Sequence, residues 1–416
     1  MLYYIGIGSN LGEREQTIRR AIALLDEHVG IRLGTAPLVY SAPQGFRSEH
    51  EFCNTVVLYQ SSVCPEAVLS HAQAIEQQLG RVCNSVIQPD GTKLYSDRVI
   101  DIDLVVAYND NGTEYQQQSA TLTLPHPRMP EREFVLQPIR QLIAGIVAEG
   151  LPFVKMHGIG NDYIYLDCTT SLLPLAILPE IRYYAPMWCD RHRGIGGDGI
   201  VFITRDKDAD LRMRIFNADG SEAEMCGNAS RCIGYYAIAN HMVEGNRLRL
   251  ATQAGTRTIQ VQDAEHVSVE MGTPEFTGTQ HIGGRTYMTV DIGNPHAITL
   301  LQDAEALTTE LVHTVGPQVE CDPCFPHRTN VEFGVVIDRH HIAMRVWERG
   351  SGETQACGTG ATATAYACVH QGYCDYPVTL ILQGGNLTIS AEGNNAIMTG
   401  PATIAFTGVT RMNKDN

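Results

Sequence analysis

Trp347 to Ala361 reads WERGSGETQACGTGA, and this stretch has a counterpart earlier in the chain. Met213-Arg214-Ile215-Phe216 matches Met344-Arg345-Val346-Trp347, and Cys226-Gly227-Asn228 matches Cys357-Gly358-Thr359. Asn217 stands nine residues before Cys226, and Glu348 stands nine before Cys357. One spacing serves every pair, which is the mark of an internal duplication. Each cysteine precedes a run that reads as a helix; Ala361–Cys368 is the clearer of the two, and Gly372 is set to end it. The expectation is two related half-domains, each with one cysteine at a helix start.

A thiol at a helix start faces free backbone N–H groups and the positive end of the helix dipole. Both favour thiolate, so the thiol pKa is expected to fall from about 8.5. Two such thiols suit inversion at a carbon: a thiolate takes a proton from one face and a thiol delivers one to the other. A lone cysteine reads more simply as a small buried hydrophobe. Twin sites in a duplicated frame favour chemistry.

The chain has 416 residues, enough for two or three domains. A net charge of −16 argues against a general binder of nucleic acid or anionic membrane. MLYYIGIGSN lacks the charged and long apolar regions of a signal peptide, and no run is long enough to span a membrane. The twelve cysteines are scattered, as suits reduced thiols in a cytoplasm. Cys321-Asp322-Pro323-Cys324 is a lone CxxC without a second pair, so zinc is not expected there.

Residues 1–149 read β-α-β-β-α-β: strands at Leu2–Ile7, Ile31–Tyr40, Glu51–Gln60 and Val99–Tyr108, with helices at Glu15–Val29 and from Pro65 to Leu79. That order fits a ferredoxin-like α+β plan. On the last strand Asp101 and Asp103 share one face, while Ile100, Ile102 and Leu104 turn to the core. Adjacent carboxylates invite a hard cation such as Mg²⁺, and Mg²⁺ so held usually meets a phosphate. Arg98, Arg81, His126 and Arg132 can supply donors to one.

Tyr4-Ile5-Gly6-Ile7-Gly8-Ser9-Asn10-Leu11-Gly12, Phe52-Cys53-Asn54, Arg98 through Leu104, and Leu124-Pro125-His126-Pro127-Arg128-Met129 occur in this order. About residues 1–142 thereby resemble hydroxymethyl-dihydropterin pyrophosphokinase. The resemblance implies pyrophosphoryl transfer from ATP to a pterin hydroxymethyl group, with Mg²⁺ at Asp101 and Asp103. It implies nucleotide contacts from Glu76, Arg81, Arg98, His126 and Arg132, and pterin contacts from Asn54, Phe134 and Tyr95. The loop from Cys83 to Asp97 is longer than the family leads one to expect, with Lys93 as a substitute basic residue. The family's tail past Ile143 is missing, and Ala144–Leu151 is the linker candidate.

The rest of the chain carries Phe153–Asp167 (FVKMHGIGNDYIYLD), the Gly-rich Arg191–Gly199, Asn217-Ala218-Asp219-Gly220-Ser221, Gly293-Asn294-Pro295-His296, Asn330-Val331-Glu332-Phe333 and Glu348-Arg349. The Gly-rich loop lacks GxGxxG spacing and a Walker lysine, so it reads as a turn and not a nucleotide site. With the two cysteine motifs these resemble diaminopimelate epimerase, over about residues 151–410. The resemblance implies two similar α/β halves, about 150–265 and 266–400, with the site in the cleft between them and the C-terminal segment returning to the first half. Cys226 and Cys357 would be the acid/base pair, with no pyridoxal phosphate. Gly227, Asn228, Gly358 and Thr359 would hold the reacting carboxylate. Asn161, Asn217, Asn294, Asn330 and Arg349 would fix the far end, with His296 and Glu348 beside the thiols.

The leading expectation is therefore a cytoplasmic bifunctional enzyme, residues 1–149 and 150–416, acting on diaminopimelate, hydroxymethyl-dihydropterin and ATP. A homodimer is compatible with it. The alternatives are a proline-racemase-like second module, a metal-holding cysteine module, and a first module kept for structure alone.

Overall fold

The run Leu2-Tyr3-Tyr4-Ile5-Gly6-Ile7 is apolar at successive positions, which suits a strand covered on both faces. It forms β1 (Leu2–Ser9), buried almost throughout. The computed structural model describes residues 1–82 and 96–410, so Lys93 and Tyr95 lie outside the described residues. It divides into two compact units: Met1–Pro152 with Asp167–Ile181 and the residues from Val409, and Phe153–Leu166 with Arg182–Gly408.

In the first unit β2 (Ile31–Thr35), β3 (Val39–Ser41), β4 (Phe52–Gln60) and β5 (Asp101–Tyr108) complete the sheet. β1 lies between β4 and β5, antiparallel to both, and the order is β2-β4-β1-β5 with β3 also on β4. Tyr3, Ile5 and Ile7 share a core with Ile18, Ala21 and Leu25 of α1 (Arg14–His28) and Val68, Ala72 and Ile75 of α2 (Pro65–Gln78). At about 1.5–3 kcal/mol per buried large apolar side chain, Ile18 and Leu25 hold α1 in place of an N-cap. Glu13 makes no capping side-chain bond.

The linker expectation at Ala144–Leu151 is corrected. Most of it is the end of α3 (Glu133–Glu149), whose buried Ile139, Leu142, Ile143, Ile146 and Val147 recur at helical spacing. The helix stops at Gly150, at φ 111°. The segment Asp167–Ile181, read from sequence as part of the second module, packs with the first unit. Tyr4 Oη donates to the Ala176 carbonyl at 2.6 Å, and Leu175, Ala176 and Ile177 are fully buried.

The second unit repeats itself element by element. Strand Leu211–Asn217 is antiparallel to Gly199–Arg205 and parallel to Arg247–Thr252. Strand His341–Glu348 is likewise antiparallel to Asn330–Asp338 and parallel to Val378–Leu382. α4 (Ile181–Cys189) and α5 (Gly227–Ala239) in the first half answer to α6 (Thr309–Glu320) and α7 (Gly358–His370) in the second. Strand Val267–Gly272 pairs with Gly255–Val261 on one side and, on the other, with Asn395–Gly400 of the second half. This strand ties the two halves together, next to the boundary expected at about 265. α7 opens on eight small residues, Gly358 to Ala365, which are buried apart from Thr359, and Gly372 lies just past its end at φ 77°. Its neighbours in one shared core include Ile233 and Val269 from the first half and Ile389 and Met398 from the second.

Two candidate active sites

Cys226 is the N-cap of α5 and Cys357 the N-cap of α7, both in extended backbone. Each sulfur accepts from the N–H three residues on: Ala229 at 3.5 Å and Gly360 at 3.4 Å. The Cys226 thiol donates to Asn161 Oδ1 at 3.4 Å, and Cys357 Sγ lies 3.4 Å from Thr359 Oγ1. Asn228 joins the two motifs, since its Nδ2 donates to Asn161 Oδ1 at 3.2 Å and to the Ala356 carbonyl at 3.3 Å. Met398 packs under both helix starts. A Cβ at Gly227 would stand 2.7 Å from its methyl, and one at Gly358 2.9 Å from its sulfur. Glycine after each cysteine lets both helices approach one side chain.

The expected fall in thiol pKa is corrected. Burial pushes the Cys226 thiol up against the opposing N–H groups of Ala229 and Asn228 and the Tyr163 hydroxyl. Burial pushes Cys357 much further, helped by the carboxylates of Glu348 and Glu332. Helix N-termini act as expected, but the cost of burying a thiolate exceeds what two N–H groups return. Burial likewise raises Glu348, whose Oε1 accepts the Thr354 hydroxyl.

Around the thiols, His296 and Glu332 are both fully buried, with Nδ1 2.6 Å from Oε1. His296 Nε2 is 3.1 Å from Asn294 Oδ1, and Asn294 Nδ2 donates to Thr359 Oγ1 at 3.4 Å. Asn330 accepts from the Arg349 backbone N–H at 3.0 Å and donates to the Pro295 carbonyl at 3.0 Å. The Arg349 guanidinium donates to the His327 carbonyl. Asn217 is exposed and donates to Ser221 Oγ at 3.0 Å.

Sequence reasoning missed what holds Asn161. Asp198 Oδ2 accepts from Asn161 Nδ2 at 2.8 Å and from the Asp162 N–H at 2.9 Å, while Asp198 Oδ1 takes Arg191 at 2.7 Å. Asp162 is bound in turn by Arg191 and by the buried Lys155 at 2.6 Å. The loop read as a plain turn thus carries the carboxylate that orients a site amide. Its only sequence signal was Asp198 among the glycines.

In the first unit Asp101 and Asp103 line a concave site with about 760 Å³ of open space, continuous with solvent. Asn54, Arg98, His126, Arg132 and Phe134 line it too, as does Arg128. Phe46 and Phe52, edge to face at 6.2 Å, add an aromatic wall that was not expected as ligand-binding. Arg98 Nη2 lies 3.0 Å from Asp101, and Arg132 Nη1 3.4 Å from Asp103. Glu76 and Arg81 do not line the cavity. Arg81 Nη1 reaches Asp101 at 2.7 Å and also bonds Glu76, while Glu76 accepts the Ile102 N–H at 2.7 Å. They hold the aspartate strand from behind.

Burial, then the Asp101 charge, raises Asp103 to about 6, and burial raises Glu76 to about 7. His126 is lowered by burial and the charges of Arg132 and Arg128. Two facing carboxylates that resist joint ionisation are what a divalent cation relieves, and hard oxygen donors suit Mg²⁺. Among the described residues no group of three His, Cys, Asp or Glu stands ready to hold a metal unaided. Magnesium commonly takes one or two carboxylates and completes its shell with phosphate and water.

The C-terminal module is thus a duplicated α/β scaffold that sets one thiol at each of two neighbouring helix starts. The family model described as diaminopimelate epimerase matches residues 153–277 and 288–405. The chain belongs to the diaminopimelate epimerase family. Residues 4–144 match the model described as 7,8-dihydro-6-hydroxymethylpterin-pyrophosphokinase, so the chain joins an N-terminal pyrophosphokinase region to the epimerase. A diaminopimelate epimerase of Pseudomonas entomophila is 40% identical over 282 residues, 63% of this chain and 99% of that protein. One from Bacteroides thetaiotaomicron is 43% identical over 267 residues, 62% of this chain and 97% of that protein. Among solved structures, a phenazine biosynthesis protein of the PhzF family from Bacillus anthracis aligns at 15% identity and a TM-score of 0.48, covering 63% of this chain and 99% of that one. No helix of the described residues is long and apolar enough to cross a membrane.

Proposed function

We propose that residues 150–416 interconvert LL- and meso-diaminopimelate and that residues 1–149 transfer pyrophosphate from ATP to 6-hydroxymethyl-7,8-dihydropterin. The observation that carries the first reaction is the pair of helix-capping thiols tied together through Asn228. A bound amino acid in the cleft between the halves gives its α-proton to one cysteine as thiolate. The opposite thiol delivers its own proton to the other face, so the centre inverts and the roles of the sulfurs exchange. The N–H groups at both helix starts, with Gly227, Asn228, Gly358 and Thr359, receive the α-carboxylate and the charge that grows on it. Asn161, Asn217, Asn294, Asn330 and Arg349 take the distal polar end, and His296 and Glu348 govern proton supply beside Cys357. This amide set supports a long substrate with two polar ends over a proline-like one. Pyridoxal phosphate has no part in the scheme. Both thiols must stay reduced, which suits the cytoplasm.

For the kinase, the order β2-β4-β1-β5 with two helices on one face supports a ferredoxin-like plan. Asp101 and Asp103 would hold Mg²⁺, which neutralises charge on the triphosphate when bound. Arg98, Arg132 and His126 orient the phosphates, Asn54 reads the pterin edge and Phe134 stacks on its ring. Arg81 and Glu76 keep Asp101 in position.

Turnover in D₂O tests the two-base scheme. A thiol carries one proton, so the cysteine that abstracts does not supply the product. At low conversion the new epimer should carry deuterium at the inverted carbon while recovered substrate stays protiated. Equal deuterium in both epimers from the start would point to one polyprotic base and remove the pairing of Cys226 with Cys357.

A further inference from the structure

The turns that follow the matched strands Leu211–Asn217 and His341–Glu348 are held in different ways. Both close on the same backbone bond, Gly220 N–H to the Asn217 carbonyl at 2.9 Å and Ser351 N–H to the Glu348 carbonyl at 3.1 Å. In the first half the turn is fixed from within: Asp219 Oδ1 accepts the Ser221 N–H at 2.8 Å and the Ser221 hydroxyl at 2.6 Å. The matching position in the second half is Gly350, which has no side chain and lies at φ 79°. That turn is fixed from outside. Glu320 Oε1 accepts the Gly350 N–H at 2.9 Å, and Glu320 Oε2 accepts the Trp347 indole N–H at 2.8 Å. Arg328 adds a longer contact to Oε1 at 3.3 Å. The Arg349 N–H, inside the turn, goes to Asn330 at 3.0 Å.

Glu320 is the last residue of α6 and only 5% exposed. A carboxylate there is doubly unfavourable, because it meets the negative end of the helix dipole and loses its water. No basic residue in the last turn of α6 offsets it. Three donors converge on it instead, and two of them flank Glu348 and Arg349. The repeat shows that this pairing is a unit. At the same offset along the chain, the first half has Cys189 for Glu320 and Phe216 for Trp347. Acceptor and donor are missing together from the half whose turn caps itself. Packing adds to the grip. A Cβ on Gly316 would stand 2.6 Å from the Trp347 ring, so α6 lies directly against the indole, and His313 meets that ring edge to face at 5.7 Å.

We propose that Glu320 is a positioning residue of the epimerase site. From α6 it holds the Glu348–Gly350 turn, and so aims the Arg349 guanidinium at the distal end of an amino acid whose far end is also charged. Glu320 itself touches no substrate. The inference rests on the reading of Arg349 as a distal contact and names the residue behind it. In Glu320→Gln one oxygen and one NH₂ face donors on both sides, so the amide must turn its NH₂ to either Trp347 or Gly350. The turn is then released at one end, and binding that the substrate and the transition state share is lost.

The test is steady-state kinetics of the full chain with LL-diaminopimelate, together with trypsin nicking mapped by mass. Glu320→Gln should raise KM about tenfold, the size of one hydrogen bond to a charged group, and leave kcat within about threefold. Arg349 is exposed, and nicking after it should quicken several-fold while nicking elsewhere keeps the wild-type rate. Trp347→Phe keeps an aromatic ring but removes one donor to Glu320; it should raise KM in the same way, and it decides the matter if Glu320→Gln does not fold. An unmoved KM, a fall in kcat larger than the rise in KM, or nicking that quickens everywhere alike overturns the proposal. Variants that match an active wild type refute the role of Glu320 alone. A wild type that does not epimerise refutes the reading of the site, and the role of Glu320 with it.

Discussion

Asp198→Asn should disable the epimerase without touching either thiol. Asp198 presents three acceptor contacts: Asn161 Nδ2 at 2.8 Å, the Asp162 N–H at 2.9 Å and Arg191 at 2.7 Å. All three partners are donors. An asparagine in the same space offers one oxygen and one NH₂, so either Arg191 or the Asn161 side meets a second donor. Hydrogen bonds to a charged group are worth about 1.5–3 kcal/mol each. Losing one and weakening another should cost about 2–3 kcal/mol in the geometry of the Asn161 turn. Asn161 then turns its Oδ1 away from Cys226 and Asn228. A loss of kcat/KM between about thirtyfold and about 150-fold follows. The acid side of the pH profile carries the sharper test. Burial and the Asp162 charge raise the Asp198 pKa, so this carboxylate protonates earlier on acidification than an ordinary aspartate. Protonated Asp198 resembles the asparagine, and the wild type should lose activity as pH falls through that pKa. Asp198→Asn should show lower activity and lack that limb. Steady-state kinetics of the two proteins from pH 5 to 8 decides it. Equal kcat/KM, or an unchanged acid limb in the variant, would refute the argument that Asp198 works through Asn161.

Asp103→Ala should abolish ATP-dependent pterin pyrophosphorylation and spare the epimerase, because the two sites belong to separate compact units; unchanged pterin turnover sinks the Mg²⁺ assignment. Burial and the Asp101 charge raise the Asp103 pKa, and a cation must displace its proton, so Mg²⁺ affinity should fall as pH drops through that raised pKa and level off above it; calorimetry with a pH-independent affinity contradicts this. Mild oxidation should link Cys226 to Cys357 and stop epimerisation reversibly, since Asn228 keeps the two helix starts adjacent; peptide mapping of inactive protein with both thiols free rules it out. Gly358→Ala should cut epimerase activity more than a surface Gly→Ala change such as at Gly145, because its methyl enters the Met398 sulfur at 2.9 Å; equal activity of the two variants would show that the helix starts tolerate separation.

The sequence by itself determined whatever local spacing encodes. The repeated cysteine motifs fixed two equivalent helix N-caps, because a cap is decided within one turn of chain. The alternation Ile100-Asp101-Ile102-Asp103-Leu104 fixed which side chains enter the core and which line the cavity, because a strand has period two. Where such a period was overlooked, in the helical run from Ile139 to Val147, a helix was mistaken for a linker. Tertiary structure alone decided the electrostatics. Whether a thiol at a helix start ionises depends on the solvent it loses and on carboxylates that arrive from strands far along the chain, and burial outweighed the local N–H groups at both cysteines. The Asp198 carboxylate behind Asn161 and the Glu332 partner of His296 are long-range contacts of the same kind. Arg231 is a charged residue in a motif that reads as a plain helix. Only the tertiary structure buries it fully and leaves its Nη2 without a partner among the described residues.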